Sequence, residues 1–308
     1  MLKLDHMTTM NPTFPQLNDT TMNHTEKHFD FYCLEFPVGP MILSILSSPC
    51  ALVGVPASVW LLWTLIQRQR SSSGGGSSKN NDIYMLHLSV FDVLSTTQLL
   101  PYTLNFNFWR NDLFKSVQDF ILALNFMGRP LVMTCICCDC YMAVCYPIFY
   151  MRMKSSHYTL RLVTSAVAWA VAIGWATLTI FIFVAKMPDV LLSIPYFLTL
   201  PVIVGCDVAI LRALRKPDPS GKTAVHPQKQ RALLTIAQSL VLTVLVFLPP
   251  LVMLGITPLI PLTKQERFCS VITPALFAPG LASMIMPLMH LHSLGSFRDL
   301  RWCGCRVE

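Results

Sequence analysis

The chain has 308 residues, of which 53% are apolar and only 13% are charged. A soluble domain carries roughly a quarter charged residues, so a single soluble domain, a disordered chain and a nucleic-acid binder are all disfavoured, despite a formal net charge of +7. The mean hydropathy of +0.53 and the 22 Pro fit a polytopic membrane protein, where neighbouring helices re-satisfy backbone groups freed by proline.

Residues 1–40 form a polar N-terminal segment with two sequons, Asn18-Asp19-Thr20 and Asn23-His24-Thr25. Asn18 and Asn23 accept glycans only on the lumenal side. No apolar run precedes them, so the expectation is that no signal peptide is cleaved and the first span directs insertion. A helix needs about 20 mostly apolar residues to cross the hydrocarbon. Seven stretches meet this, at about 41–66, 83–107, 117–145, 160–184, 189–214, 231–257 and 268–292. The third is the least clean, with Asp119, Arg129 and Asp139 inside it. Between the fourth and fifth lies Ala185 to Val190, with Lys186, Pro188 and Asp189, enough for a tight turn. Fusing those two spans would run one helix through Pro188, which opposes it.

The loops carry little chemistry of their own. Gln67 to Lys79 is a flexible Ser/Gly linker, and it lacks the G-x-x-x-x-G-K-[ST] spacing of a phosphate-binding loop. The 215–230 loop is short, basic and proline-containing. No internal repeat is visible, which weighs against the repeat architecture of secondary transporters. The predicted architecture is an all-α seven-helix membrane bundle over 41–292, preceded by the segment 1–40. Residues 293–308 supply a short amphipathic helix, Leu294 to Trp302, and a tail.

Orientation follows from the cations. With the N-terminus outside, 15 Lys and Arg fall on the cytoplasmic side, 7 fall outside and Arg129 lies in the membrane. Positive residues collect on the cytoplasmic side, so the C-terminus is expected inside and the protein at the plasma membrane. Of 11 Cys, only Cys33 and Cys269 are predicted outside, the one compartment here that favours a disulfide. The run Cys135-Ile136-Cys137-Cys138-Asp139-Cys140 points its thiols in several directions along a helix, so no metal site is expected. Cys303 and Cys305 follow the amphipathic stretch and are candidates for palmitoylation.

Several motifs, in order across about 41–305, resemble those of rhodopsin-like (class A) G-protein-coupled receptors. Leu86-His-Leu88-Ser-Val-Phe-Asp92, with Pro101 beyond, is similar to the second-span L-x-x-x-D segment. Asp139-Cys140-Tyr141-Met-Ala-Val-Cys-Tyr-Pro147 resembles D-R-Y-x-A-[IV]-x-x-P. Trp169 stands at the fourth-span Trp, Phe247-Leu248-Pro249 at F-L-P, and Met286-Pro287-Leu-Met-His290 at N-P-x-x-Y. The switch positions that this implies are Asp139, Cys140, Tyr141, Phe247, Pro249, Pro287 and His290. They also carry the departures: Cys140 replaces the motif's Arg, Met286 its Asn and His290 its Tyr, while Ala209 stands for the fifth-span Tyr. The family's usual third-span disulfide is not expected, because Lys115 stands near the expected Cys.

In many members of that family the Asp equivalent to Asp92 helps hold a sodium ion. Counting back from Asp139 puts Asn125 and Arg129 in the facing part of the third span. An unpaired charge at that depth is costly, so the expectation is that Arg129 pairs with Asp92 and takes the place of the ion. The alternative is that Arg129 turns away and bonds carbonyls beside Pro130. The ligand cavity implied by the resemblance is lined by Tyr102, Phe106, Asp119, Leu122, Phe126, Leu254, Thr257, Thr273 and Leu276. Asp119 is four residues from Lys115, which suits a helix-surface ion pair better than a ligand contact. This lining lacks the Arg/Lys cluster that a nucleotide needs, which favours an apolar or lipid-like extracellular ligand.

Two functions follow from the resemblance. One is a receptor that signals to a heterotrimeric G protein or another intracellular partner with altered switch behaviour. The alternative is a signalling-silent relative acting as a scaffold, decoy or receptor-dimer partner. Membrane lipid is the surrounding partner in both. No cofactor, nucleic acid or enzyme chemistry is expected, since no spacing brings a catalytic group and its base together.

Overall fold

The structure, a computed structural model, describes residues 38–71, 82–109, 111–152, 157–184, 193–215, 227–256 and 277–293, with isolated positions between 259 and 270. The expected glycosylation sites Asn18 and Asn23, the palmitoylation candidates Cys303 and Cys305, and the short amphipathic helix all lie outside the described residues.

Seven long helices are present among the described residues: α1 (Val38–Ser71), α2 (Asp82–Leu104), α3 (Asp112–Cys145), α5 (His157–Val184), α6 (Ile194–Arg215), α7 (Pro227–Ile256) and α8 (Phe277–Ser293). A short helix, α4 (Pro147–Arg152), lies between α3 and α5. Five of the long helices, α1, α2, α3, α5 and α6, are long and apolar enough to cross a membrane. Their large outward side chains include Leu52, Trp63, Leu113, Val167, Phe181 and Leu198, all exposed. With no water beside it, a lipid-facing backbone must satisfy itself, and a helix does so within one segment.

Prolines interrupt most of these helices, at Pro49, Pro56, Pro101, Pro130, Pro201, Pro249, Pro250 and Pro287. Hydroxyls occupy nearby turns: Thr134 donates to the Pro130 carbonyl at 2.7 Å, and Thr199 to the Pro195 carbonyl at 2.7 Å. After Pro101 the α2 helix widens into a π-turn at Asn105–Trp109, the kind of local adjustment that proline provokes. The chain then reverses on two asparagines. The Asn105 carboxamide accepts from the Asn111 N–H at 3.0 Å and donates to the Asn111 carbonyl at 3.2 Å. Asn111 in turn caps α3, its side chain accepting from the Phe114 N–H.

The α3 helix runs through the middle, packed on α2, α5 and α6; α1 lies on α2 and α8, and α7 joins α6 to α8. The α5 helix explains its own docking. Arg161, Ser165, Ala168, Ala172, Ala176 and Thr179 recur at helical spacing and are its buried face. Small side chains let two backbones approach closely, the usual device of helix pairs in lipid. Where α2, α3 and α5 meet, Phe91 stacks on Trp169 with centroids 4.2 Å apart, and the Trp169 ring N–H donates to His87 Nδ1 at 3.2 Å. Gly128 on α3 faces that stack, and a Cβ there would run into the Phe91 ring.

Candidate functional site

Two polar centres sit inside this apolar bundle. The first is at mid-length, where Asp92 on α2, Arg129 on α3 and Ser283 on α8 converge. Arg129 Nη2 lies 3.1 Å from Asp92 Oδ1, with both side chains almost fully buried at 3% and 1% exposure. Arg129 Nη1 donates a short hydrogen bond to Ser283 Oγ, and the Ser283 hydroxyl donates to Asp92. The carboxylate is thus held by a cation and a hydroxyl from two other helices. A sodium ion does not fit beside Asp92 in this arrangement, because a guanidinium already faces the carboxylate and like charges would crowd one buried site. Ser283 is a member that sequence reasoning misses; its spacing before Pro287 on α8 is the available signal.

Beside the triad lies a cavity of about 30 Å³, room for roughly two water molecules. Leu122 and Phe126, expected at the ligand cavity, line it together with Leu99, Phe247 and Gly280. Its polar wall is Ser95, Gln98, Asn125, Arg129, Tyr196 and Ser283. Gln98 Oε1, Asn125 Oδ1 and the Tyr196 hydroxyl are buried without a hydrogen-bond partner among the described residues. The floor is aromatic, with Tyr196 against Phe126 at 5.2 Å and against Phe247 at 5.3 Å.

Other pocket candidates fall elsewhere. Tyr102 sits one turn beyond Leu99 on α2 and packs against Cys50, as do Leu46, Leu281 and Met284, and it does not line this cavity. Asp119 pairs with Lys115 at 2.5 Å along α3, as the i,i+4 spacing suggests. Thr257, Thr273 and Leu276 lie outside the described residues, as do the side chains of Phe106 and Leu254.

The second centre is at the α3 end marked by Asp139. Cys140 follows it, an exposed residue with a free thiol. Asp139 is held instead by Arg161 of α5, whose Nη2 is 2.6 Å from Asp139 Oδ2 and donates to the Tyr150 hydroxyl at 2.6 Å. Arg161 is 1% exposed and among the largest fully buried side chains. Tyr150 belongs to α4, so this one guanidinium ties α3, α4 and α5 together. Burial, and then the Asp139 carboxylate, push the Tyr150 hydroxyl above its ordinary range, partly offset by Arg161. Counted from the sequence, Arg161 belongs with the loop cations; its helical register with Ser165 and Ala168 is the signal that points inward.

Of the remaining switch positions, Phe247 lines the cavity beside the triad and His290 lies within electrostatic reach of Arg129. Tyr141 packs edge-on to Tyr146 at 5.8 Å. Phe247 is buried, Pro249 exposed, Pro287 buried and His290 half-buried. Cys269 is disulfide-bonded, and Cys33, its expected partner, lies outside the described residues. Among the described residues no cluster of His, Cys, Asp and Glu has the make-up of a metal site.

An apolar multi-helix bundle with its charges paired at its centre defines an integral, multi-pass membrane protein. Residues 59–289 match the family of seven-transmembrane receptors of the rhodopsin type, and the chain belongs to that family. It is also 26% identical over 278 residues to a purinoceptor of Xenopus laevis, purinoceptor 4, a match covering 80% of this chain and 50% of that protein. The chain thus spans about half the length of that curated relative.

Proposed function

We propose that the chain is a seven-span receptor, with its N-terminus outside and its C-terminus in the cytosol, that passes an extracellular signal to a heterotrimeric G protein through a restrained switch. The three segments are 1–40 outside, 41–292 in the bilayer of the plasma membrane and 293–308 as a terminal amphipathic helix and tail. The observation that carries this reading is the Asp92–Arg129–Ser283 triad, which joins α2, α3 and α8 through a cation that cannot leave. A diffusible ion lets helices separate when it departs. A tethered guanidinium keeps them joined until its own hydrogen bonds break, so the resting state is favoured.

The ligand is best read as lipid-like or weakly polar. The curated relative is a purinoceptor by name. A nucleotide's phosphates call for several unpaired Arg or Lys. Among the described lining residues the one cation is Arg129, already engaged by Asp92. Nucleotide exchange on a co-expressed G protein tests the signalling reading. The wild type should show low basal exchange that is indifferent to sodium concentration, and Arg129→Ser should raise it and make it sodium-dependent. Exchange unchanged in the variant, with the protein at the cell surface, would refute it.

The second reading, a signalling-silent scaffold or dimer partner, draws on Cys140. With Arg absent there and Asp139 engaged by Arg161, the motif's usual contact with an intracellular partner has no cation to make it. Absence of exchange under every condition would favour this reading.

A further inference from the structure

Seven described cysteines carry free thiols, and two of them face each other across a helix boundary. Cys138 of α3 and Cys206 of α6 lie with their Sγ atoms 4.0 Å apart. They are 68 residues apart in sequence, on two helices that pack directly. We propose that this pair is an oxidisable dithiol, converted by hydrogen peroxide into a disulfide that locks α3 to α6 beside the Asp139 centre.

A disulfide needs its sulfurs about 2.05 Å apart, so the pair must close by about 2 Å, within reach of side-chain rotation on neighbouring helices. Both residues are half-buried, whereas Cys50 and Cys137 are buried, so peroxide, small and uncharged, has access to this pair. One thiol attacks the peroxide O–O bond and becomes a sulfenic acid, releasing one water. The second thiol attacks that sulfur, forms the S–S bond and expels the hydroxyl with its proton as a second water. Two thiols lose two electrons and two protons, and one peroxide takes up both. Asp207, adjacent to Cys206 and hydrogen-bonded with the Cys137 thiol, places a carboxyl group beside the pair. The cross-link is a chemical property of the folded bundle, and a receptor that couples to nothing would still form it.

Full-length protein in lipid nanodiscs, treated with hydrogen peroxide, then alkylated and digested, gives the test. A linked peptide pair containing Cys138 and Cys206 should appear, with both thiols lost together. In whichever of Cys138→Ser and Cys206→Ser lacks the thiol that attacks peroxide, the remaining thiol should be consumed at least tenfold more slowly; in the other, the remaining thiol should accumulate as a sulfenic acid trapped by dimedone. If the linked pair is absent from oxidised wild-type protein, or if each thiol is lost as fast without its partner as with it, the proposal is overturned. The wild-type peptide map stands as a test even where a variant fails to fold.

Discussion

Replacing Arg129 by Met removes the cation from a carboxylate that is 1% exposed. Breaking a buried pair from one side costs about 3–5 kcal/mol, because the remaining charge is left without compensation. Ser283 still donates to Asp92, so the loss should fall near the lower figure, about 3 kcal/mol. For a chain of this size each kcal/mol moves a melting midpoint by about 2–4 °C, which gives a fall of roughly 6–12 °C. Asp92→Asn in the same background replaces the stranded charge with a neutral group. The double variant should recover much of the loss, with a coupling of about 1–3 kcal/mol. Intrinsic fluorescence of the 6 Trp reports unfolding in detergent without the thiol dyes that free cysteines would confuse. Apparent midpoints are compared at one scan rate, since such unfolding is governed by rate. A fall below about 2 °C for the single variant, less than 1 kcal/mol by the same conversion, would refute the triad as the joint of the bundle. So would a double variant no more stable than Arg129→Met alone.

Restoring Arg at Cys140 should raise basal G-protein activation, because it supplies the cation the motif lacks while Asp139 is already engaged by Arg161 and does not hold the new side chain at rest; no change, with the variant at the cell surface, would contradict this. Gly128→Ala should lower the midpoint by an amount equivalent to about 1–3 kcal/mol, the usual cost of overpacking, because the new methyl meets the Phe91 ring stacked on Trp169; an unchanged midpoint would mean the stack has room to move. Thr263 donates its N–H and hydroxyl to Glu266 at 2.9 Å each and accepts the Glu266 N–H in return, a capping box. The backbone N–H first, then the hydroxyl, hold the Glu266 carboxyl below its ordinary range. A depressed folded value means this local contribution is present above the unfolded value of about 4.3 and is lost as pH falls through the folded one. Thr263→Ala removes only the hydroxyl, so the Glu266 titration, followed by NMR, should move part of the way back toward the ordinary range, and no movement would refute the hydroxyl's share.

What the sequence reveals about this protein divides by how local the cause is. Helix positions and the inward stripe of α5 are set by apolar residues recurring along one segment, so they can be read from one segment. The Lys115–Asp119 pair is four residues long and equally legible. Asp92 and Arg129 come from different helices, yet their approach is open to inference, because hydrocarbon gives a buried charge few alternatives to a charge of opposite sign at the same depth. Water would remove that constraint. Ser283 and Arg161 escape for complementary reasons. A serine costs little to bury, so nothing in its identity demands a partner. Arg161 stands near a helix end, where a cation is equally at home in solvent, and only the three-dimensional closeness of α3 and α5 turns it inward. The cavity shows the same limit: residues 95, 98, 122, 125, 196 and 283 come from four helices, and no segment contains the space between them. Charge at depth is therefore the strongest long-range signal such a chain offers. The two buried arginines among the described residues each satisfy an aspartate from another helix, and so tie α3 to α2 and to α5 in a fixed register.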